Sequence, residues 1–371
     1  MKVKQAPGDF RVEEESRLAP GAEGPFALYR LAKSGIGTPE ALAVVARAWR
    51  LERRRIAFSG LKDRYGETGQ TVSIRHGPRR NFAGKGLSLN YLGQSPRPAD
   101  RGAILRNRFR IVLRDLGSGD AERILAHAQD AARHGMPDYF DDQRFGSLRG
   151  TGGRFIARAL LRADFEEALR LAIASPDRAD RSRLKAARKR LKAHWGDWPA
   201  LRDALAQGVE RRICARLAEG GGFADAYALL DPSLRSLHLS AYQAHLYNEG
   251  LRRAVGEGGP SHPGADGPYL FFEGARGPLA EERLPLASAA APPHPLLDPL
   301  LTAEGVTRSQ LALLPFRPGS RAALCFPEQF EATAPFPDDL NPGRQALTLS
   351  FALGPGSYAT ILIKRCTPRM R

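Results

Sequence analysis

Apolar and polar residues alternate with a period of two in several short runs of the first third of the chain, and this predicts strands there. Residues 9–14 put Phe10 and Val12 on one side and Arg11 and Glu13 on the other, and residues 26–31 alternate in the same way. Residues 71–75 and 107–114 predict two more strands. In the last of these Phe109, Ile111 and Leu113 face one way while Arg108, Arg110 and Arg114 face the other, so one face is core and the other strongly basic. Between the strands, Thr38 reads as an N-cap with Pro39 at the first helical position, and residues 41–49 carry the 3.6-residue apolar period of a helix.

The pattern changes after Gly146. Residues 155–174, 182–193, 211–218 and 237–255 predict helices, with the glycine run 220–222 breaking the series. Residues 256–299, rich in proline and glycine, read as strands joined by loops. The tail returns to strand periodicity at 347–351 and 359–364. A chain that begins and ends in strands around a helical middle suggests an insertion: the two ends close one sheet and the middle forms a second domain.

Charge adds a partner to this picture. The chain has 371 residues with 56 Lys and Arg against 40 Asp and Glu, a net charge of +16. That excess points to a polyanion, unless it reports only an arginine-rich coding bias. Its distribution favours the polyanion, because residues 178–192 place Leu184, Ala187 and Leu191 on one helical side and cations over most of the rest. A solvated helix face is the competing reading. No run of 18 apolar residues occurs, and Met1-Lys2-Val3-Lys4 leads into polar sequence without a signal peptide's apolar stretch, so the expected location is cytoplasmic, with no membrane partner. Cys214, Cys325 and Cys366 lack ligand or disulfide spacing, and His76, His134 and His245 form no local metal pattern. Neither a dinucleotide fingerprint nor a phosphate loop is present.

Candidate chemistry centres on residues 56–70, where Asp63 lies between Lys62 and Arg64, just after Gly60. Taken alone, this is as readily an ordinary surface turn at the end of a short apolar strand as a reactive loop. Residues 137–146 combine Tyr139, Phe140 and Phe145 with Arg144, the mixture that stacks on and orients an extruded base, or else a buried aromatic turn. Residues 354–360 deliver Tyr358 from a glycine-rich turn at the mouth of the last strand, or form a simple hairpin.

Taken in order, these segments resemble the TruD family of pseudouridine synthases. The resemblance is carried by Asp9-Phe10-Arg11-Val12-Glu13-Glu14, by Lys33 with Thr38, by Gly60-Leu61-Lys62-Asp63-Arg64 with Thr68 and Gln70, and by Asn107-Arg108-Phe109. It continues through Tyr139-Phe140 with Gln143-Arg144-Phe145-Gly146, through Tyr242-Gln243 with Tyr247-Asn248, and through Ser357-Tyr358-Ala359-Thr360, so it spans nearly the whole chain.

The resemblance implies an α+β fold: a pseudouridine-synthase catalytic domain with a mixed, mainly antiparallel sheet flanked by helices, built from residues 1–147 and 318–371. An inserted TruD-specific α/β domain, residues 148–317, interrupts it. It implies an isomerase that detaches uracil from ribose and rejoins it through C5, without cofactor or metal, acting as a monomer on RNA. The family's usual substrate is the uridine near position 13 of tRNA. A pseudouridine synthase acting on another RNA and a non-catalytic RNA-binding protein are the alternatives.

By the same resemblance Asp63 is the catalytic carboxylate, as nucleophile or as base, with Lys33 as the candidate cation that keeps it ionised and Lys62 as the alternative, although neighbouring side chains on extended backbone point apart. Lys33 is also counted with Asp138, Phe140 and Tyr358 among the substrate contacts: Phe140 stacks on the flipped uracil and Tyr358 touches the target nucleotide. Lys62, Arg64 and Arg144 are the expected RNA-backbone contacts. Asp138 stands where relatives usually carry Asn, which exchanges an amide for an acceptor-only group.

Overall fold

Strand Ile104–Leu116 is the longest of the structure, a computed structural model that describes residues 1–367, and the main sheet grows from both its edges. Antiparallel partners Gln345–Leu353 and Phe10–Ser16 flank it, with Phe351 opposite Phe109 and Phe10 opposite Ile111. The ring of Phe109 lies 5.4 Å from that of Phe351 and 6.3 Å from that of Phe10, so aromatic packing ties the first and last strands to the central one.

Phe10–Ser16 then pairs in parallel with Glu67–Arg75. Beyond it the sheet continues antiparallel through Phe26–Lys33, Leu87–Ser95 and Phe82–Gly84. The eleven-stranded sheet is thus mixed and mainly antiparallel, as expected, and its N- and C-terminal strands flank Ile104–Leu116 on opposite edges.

Helix Thr38–Ala48 buries Ala41, Leu42 and Val45 against Tyr29, Leu31, Val72, Ile74 and Leu89 of the sheet. Burying each of the larger aliphatic side chains stabilises by roughly 1.5–3 kcal/mol. The cap lies one residue earlier than the sequence suggests: Gly37 is the N-cap, and its N–H donates to Glu40 Oε2 at 3.2 Å. Thr38 does not cap because its hydroxyl donates to Gln70 Oε1 at 3.0 Å and accepts the Lys62 N–H at 3.2 Å.

Residues 359–364, expected as a strand, belong instead to helix Ala359–Cys366. Ala359, Ile361, Leu362, Ile363, Arg365 and Cys366 are all buried, and a helix buried on nearly every side shows no readable apolar stripe, leaving only its β-branched residues to suggest a strand. Arg365 is fully buried and donates to Asp130 Oδ2 at 2.7 Å, joining this helix to helix Asp120–His134.

The chain divides into two compact units, one of residues 1–136, 273–275 and 325–367 and the other of 137–272 and 276–324. Of the expected C-terminal segment 318–371, residues 368–371 lie outside the described ones. The second unit is mainly helical. The expected helix 155–174 is two, Ile156–Leu161 and Phe165–Ile173, broken where Ala163 takes a left-handed φ of 56°. Helix Ser182–Ala193 has the expected bounds, and the long helix Pro232–Val255 starts earlier than expected because Asp231 caps it. Residues 256–299 contain short strands and helices, among them the hairpin pair Ser261–His262 with Tyr269–Leu270.

Arg114, read as part of a basic face, is drawn into the first unit's own structure. Its guanidinium reaches Asp9 at 2.8 Å, Asp338 at 2.8 Å and Asp339 at 2.6 Å. Burial alone would raise the Asp338 pKa, but the N–H groups of Asp115 and Leu340, the Asn341 amide and Arg114 together hold it far below the usual carboxylate range. Because the folded pKa is depressed, the stabilisation is complete above about pH 4 and is lost as pH falls below that value. Acid thermal melts should therefore show a steeper fall in Tm below pH 4 for the wild type than for Asp338→Asn, which should start from a lower Tm at pH 7.

Candidate active site

Five of the eight residues of the loop between strands Ile56–Phe58 and Glu67–Arg75 are held by side-chain contacts, and a buried ion pair sits under it. Phe10, Val12 and Glu14 all point to the buried side of strand Phe10–Ser16, so alternation places a carboxylate at the third core position. Glu14 Oε1 accepts the Ser59 hydroxyl at 3.0 Å and the Thr71 N–H at 3.1 Å. Its Oε2 lies 2.9 Å from Lys62 Nζ, which also donates to Asn107 Oδ1 at 2.6 Å. The Glu14 side chain is fully buried and that of Lys62 nearly so, so removing either partner alone should cost roughly 3–5 kcal/mol.

The backbone of the loop is clamped as well. Gln70 Nε2 donates to the Gly60 carbonyl at 3.0 Å, and Thr38 takes the Lys62 N–H. Lys33, buried at the end of strand Phe26–Lys33, donates from Nζ to the carbonyls of Asp63 at 2.6 Å and Lys62 at 3.3 Å. Gly60 needs no glycine for space, since a Cβ there would meet nothing within 4 Å. Gly66 does, because a Cβ would sit 2.5 Å from the Phe10 carbonyl oxygen where the loop rejoins the sheet.

Against this fixed backbone the Asp63 carboxylate stays 39% exposed. Its ion-pair partner is Lys4, whose Nζ lies 2.6 Å from Oδ2 and 3.9 Å from the centre of the Phe10 ring. Lys33, the partner expected from sequence, serves the backbone carbonyls instead. Lys4 reaches Asp63 from a left-handed backbone, φ 62°, just after Lys2 and Val3 pair with Arg114 and Leu113. No motif pointed to it: a lysine in a charged N-terminal run carries no local signal. Arg64 pairs with Glu40, and Tyr358 occupies the N-cap of helix Ala359–Cys366, after the turn that follows strand Gln345–Leu353.

Asp138, Phe140 and Arg144 belong to the second unit and form a cluster of their own. Asn248, fully buried on the long helix, accepts the Phe140 N–H and donates to its carbonyl, both at 2.9 Å. The Phe140 ring meets Tyr247 edge-on at 5.3 Å, the Arg321 guanidinium at 4.5 Å and the Arg144 guanidinium at 5.3 Å. Asp138, buried, fixes Arg321: Oδ1 accepts Nη2 and its carbonyl accepts Nε, each at 2.7 Å. Arg321 and Asn248 were not singled out as site residues from sequence, although Asn248 falls within a family motif.

Among the described residues no group of three or more His, Cys, Asp and Glu could hold a metal ion, and no helix is long and apolar enough to cross a membrane.

Comparison with known proteins gives these clusters a context. The family model described as tRNA pseudouridine synthase D (TruD) matches residues 1–294. The chain is similar to a "Probable tRNA pseudouridine synthase D 1" of Methanococcus maripaludis, 27% identical over 98% of this chain and 99% of that one. It is also similar to the tRNA pseudouridine synthase D of Aquifex aeolicus, 26% identical over 98% and 97%. Its fold matches the crystal structure of a TruD protein from Methanosarcina mazei with a TM-score of 0.71, at 23% identity over 98% of this chain and 92% of that one.

Burial pushes the Lys33 pKa down to about 8, with Lys62 and Arg64 adding to the shift and Asp63 opposing it. Above that pH the folded protein loses a proton that the unfolded chain keeps, so this group's burial penalises stability less, while its grip on the two carbonyls weakens. A pH profile of turnover should therefore fall on the alkaline side with a midpoint near 8. Lys33→Met should turn over at least about tenfold more slowly and lack that limb; a limb that survives the substitution belongs to another group.

Proposed function

We propose a mechanism from one premise: the chain belongs to the TruD family of tRNA pseudouridine synthases, and it isomerises uridine to pseudouridine in tRNA. The reaction breaks the bond between ribose C1′ and uracil N1, turns the base, forms a bond from C1′ to C5, and then moves the C5 proton to solvent while N1 gains one. Asp63 is the carboxylate that carries it. The observation behind this assignment is the contrast within one loop, where the backbone is clamped by Gln70, Thr38 and Lys33 while the carboxylate itself is open. Such an arrangement holds a reacting group in place, with Lys4 on one carboxylate oxygen and the group still partly exposed.

Either role suits Asp63: as nucleophile it would hold C1′ while the base turns, and as base it would accept a ribose proton. Lys4 pairs with the carboxylate and sets its direction in both cases. Lys33 is a positioning residue that acts through the loop backbone. Phe140 is the stacking surface for the extruded uracil, held square by Asn248 and Tyr247, and Tyr358 is a further contact for the target nucleotide. Asp138 acts through Arg321 rather than on the base, because its carboxylate already carries that guanidinium. The substrate position is the uridine near position 13, and the protein acts as a cytoplasmic monomer.

Transcribed tRNA carrying tritium at uracil C5 tests the reading. Wild type should release the label, Asp63→Asn should release none, and Lys4→Met should release it about 100-fold more slowly. If neither wild type nor variant releases tritium while both bind the RNA, the protein is an RNA-binding module instead. Mapping pseudouridine in tRNA from cells with and without the protein tests the position: loss at 13 is expected, and loss elsewhere overturns that assignment alone.

A further inference from the structure

Helix Ser182–Ala193 is built unlike any other helix of the second unit. Residues 178–192 carry eight cations and one carboxylate, Asp180. Only Leu191 of the helix is buried. Arg188 pairs with Asp180, and Arg190 donates to the Ala204 carbonyl at 2.9 Å. Arg178, Arg181, Arg183, Lys185, Lys189 and Lys192 form no ion pair among the described residues.

Elsewhere in this unit some arginines find carboxylates, as in Arg154 with Glu167, Arg158 with Glu304 and Arg216 with Asp225, while Arg149, Arg162 and Arg211 form no ion pair among the described residues. What sets this segment apart is density: six unpaired cations fall within fifteen residues, and that crowding needs its own explanation. Lys185, Lys189 and Lys192 fall on one face, with Arg181 at the N-cap one turn before Lys185. Like charges one turn apart repel, and a helix with a single buried side chain has little packing to offset that repulsion. Leu184 and Ala187 instead line a cavity with Leu205, which Arg181 also borders.

We infer that the outer face of this helix docks the phosphate backbone of the tRNA, supplying affinity rather than chemistry. The inference rests on the tRNA reading above. Phosphates would relieve the repulsion along the face, and each neutralised charge would release a counterion, so the contact carries a salt-dependence signature. Lysines, as mobile point charges, suit backbone contact without base readout.

The triple variant Lys185→Ala, Lys189→Ala, Lys192→Ala tests it, because alanine favours the helix and circular dichroism can verify that it remains. Against full-length tRNA the variant should raise Kd and KM about tenfold or more at 0.15 M salt, keep kcat, and lower the slope of log Kd against log salt by about 2 to 3. Arg216→Ala, which removes a paired surface arginine, should change none of these. An unchanged Kd and salt slope in the triple variant overturns the inference even when wild type makes pseudouridine, and a loss of kcat with unchanged KM also overturns it. No pseudouridine from wild type in the same assay marks failure of the tRNA reading instead.

Discussion

Everything placed around Asp63 rests on the buried pair of Glu14 and Lys62. Taking both charges out of water is costly, and the structure offsets the cost with their mutual attraction and three further contacts: Ser59, the Thr71 N–H and Asn107. A well-packed apolar pair could be as stable. What the charged pair adds is direction: the Lys62 side chain is committed inward, so the next residue along the extended loop projects the other way. Asp63 is therefore aimed outward by a neighbour buried beneath it. This also removes Lys62 from the cations free to meet RNA.

The second consequence is a separation of duties among the lysines. Lys33 holds carbonyls, Lys62 holds the buried carboxylate, and Lys4 alone meets the Asp63 carboxylate among the described residues. Three cations of the same type reach the same loop, yet each answers a different unsatisfied group. Lys4 comes from the N-terminal strand that pairs with the strand bearing Arg114, so the edge of the sheet delivers the partner of the site.

Much of this was legible in the sequence. Alternation located strand Phe10–Ser16, which buries one face, and the order of motifs pointed to Asp63. The Glu14 position was also readable in principle: a carboxylate in phase with Phe10 and Val12 must be buried and must be paired. What the pattern could not give was the partner, since long-range pairing leaves no mark in spacing. Lys33 and Lys4 are equally lysines in sequence, and only the register of strands decides which reaches the carboxylate. Helix Ala359–Cys366 was misread for a different reason, because burial on nearly all sides erases the period that separates helix from strand. What Asp138 does is legible only with Arg321 in view, 183 residues away along the chain.

The most direct measurement of this account is a double-mutant cycle in kcat/KM for tRNA with Glu14→Gln, Lys62→Met and both together. If the pair acts as one support for the Asp63 loop, each single change should slow the enzyme nearly as much as the double change does, with tRNA affinity little altered. Additive losses, or a single change that leaves kcat/KM intact, would contradict it.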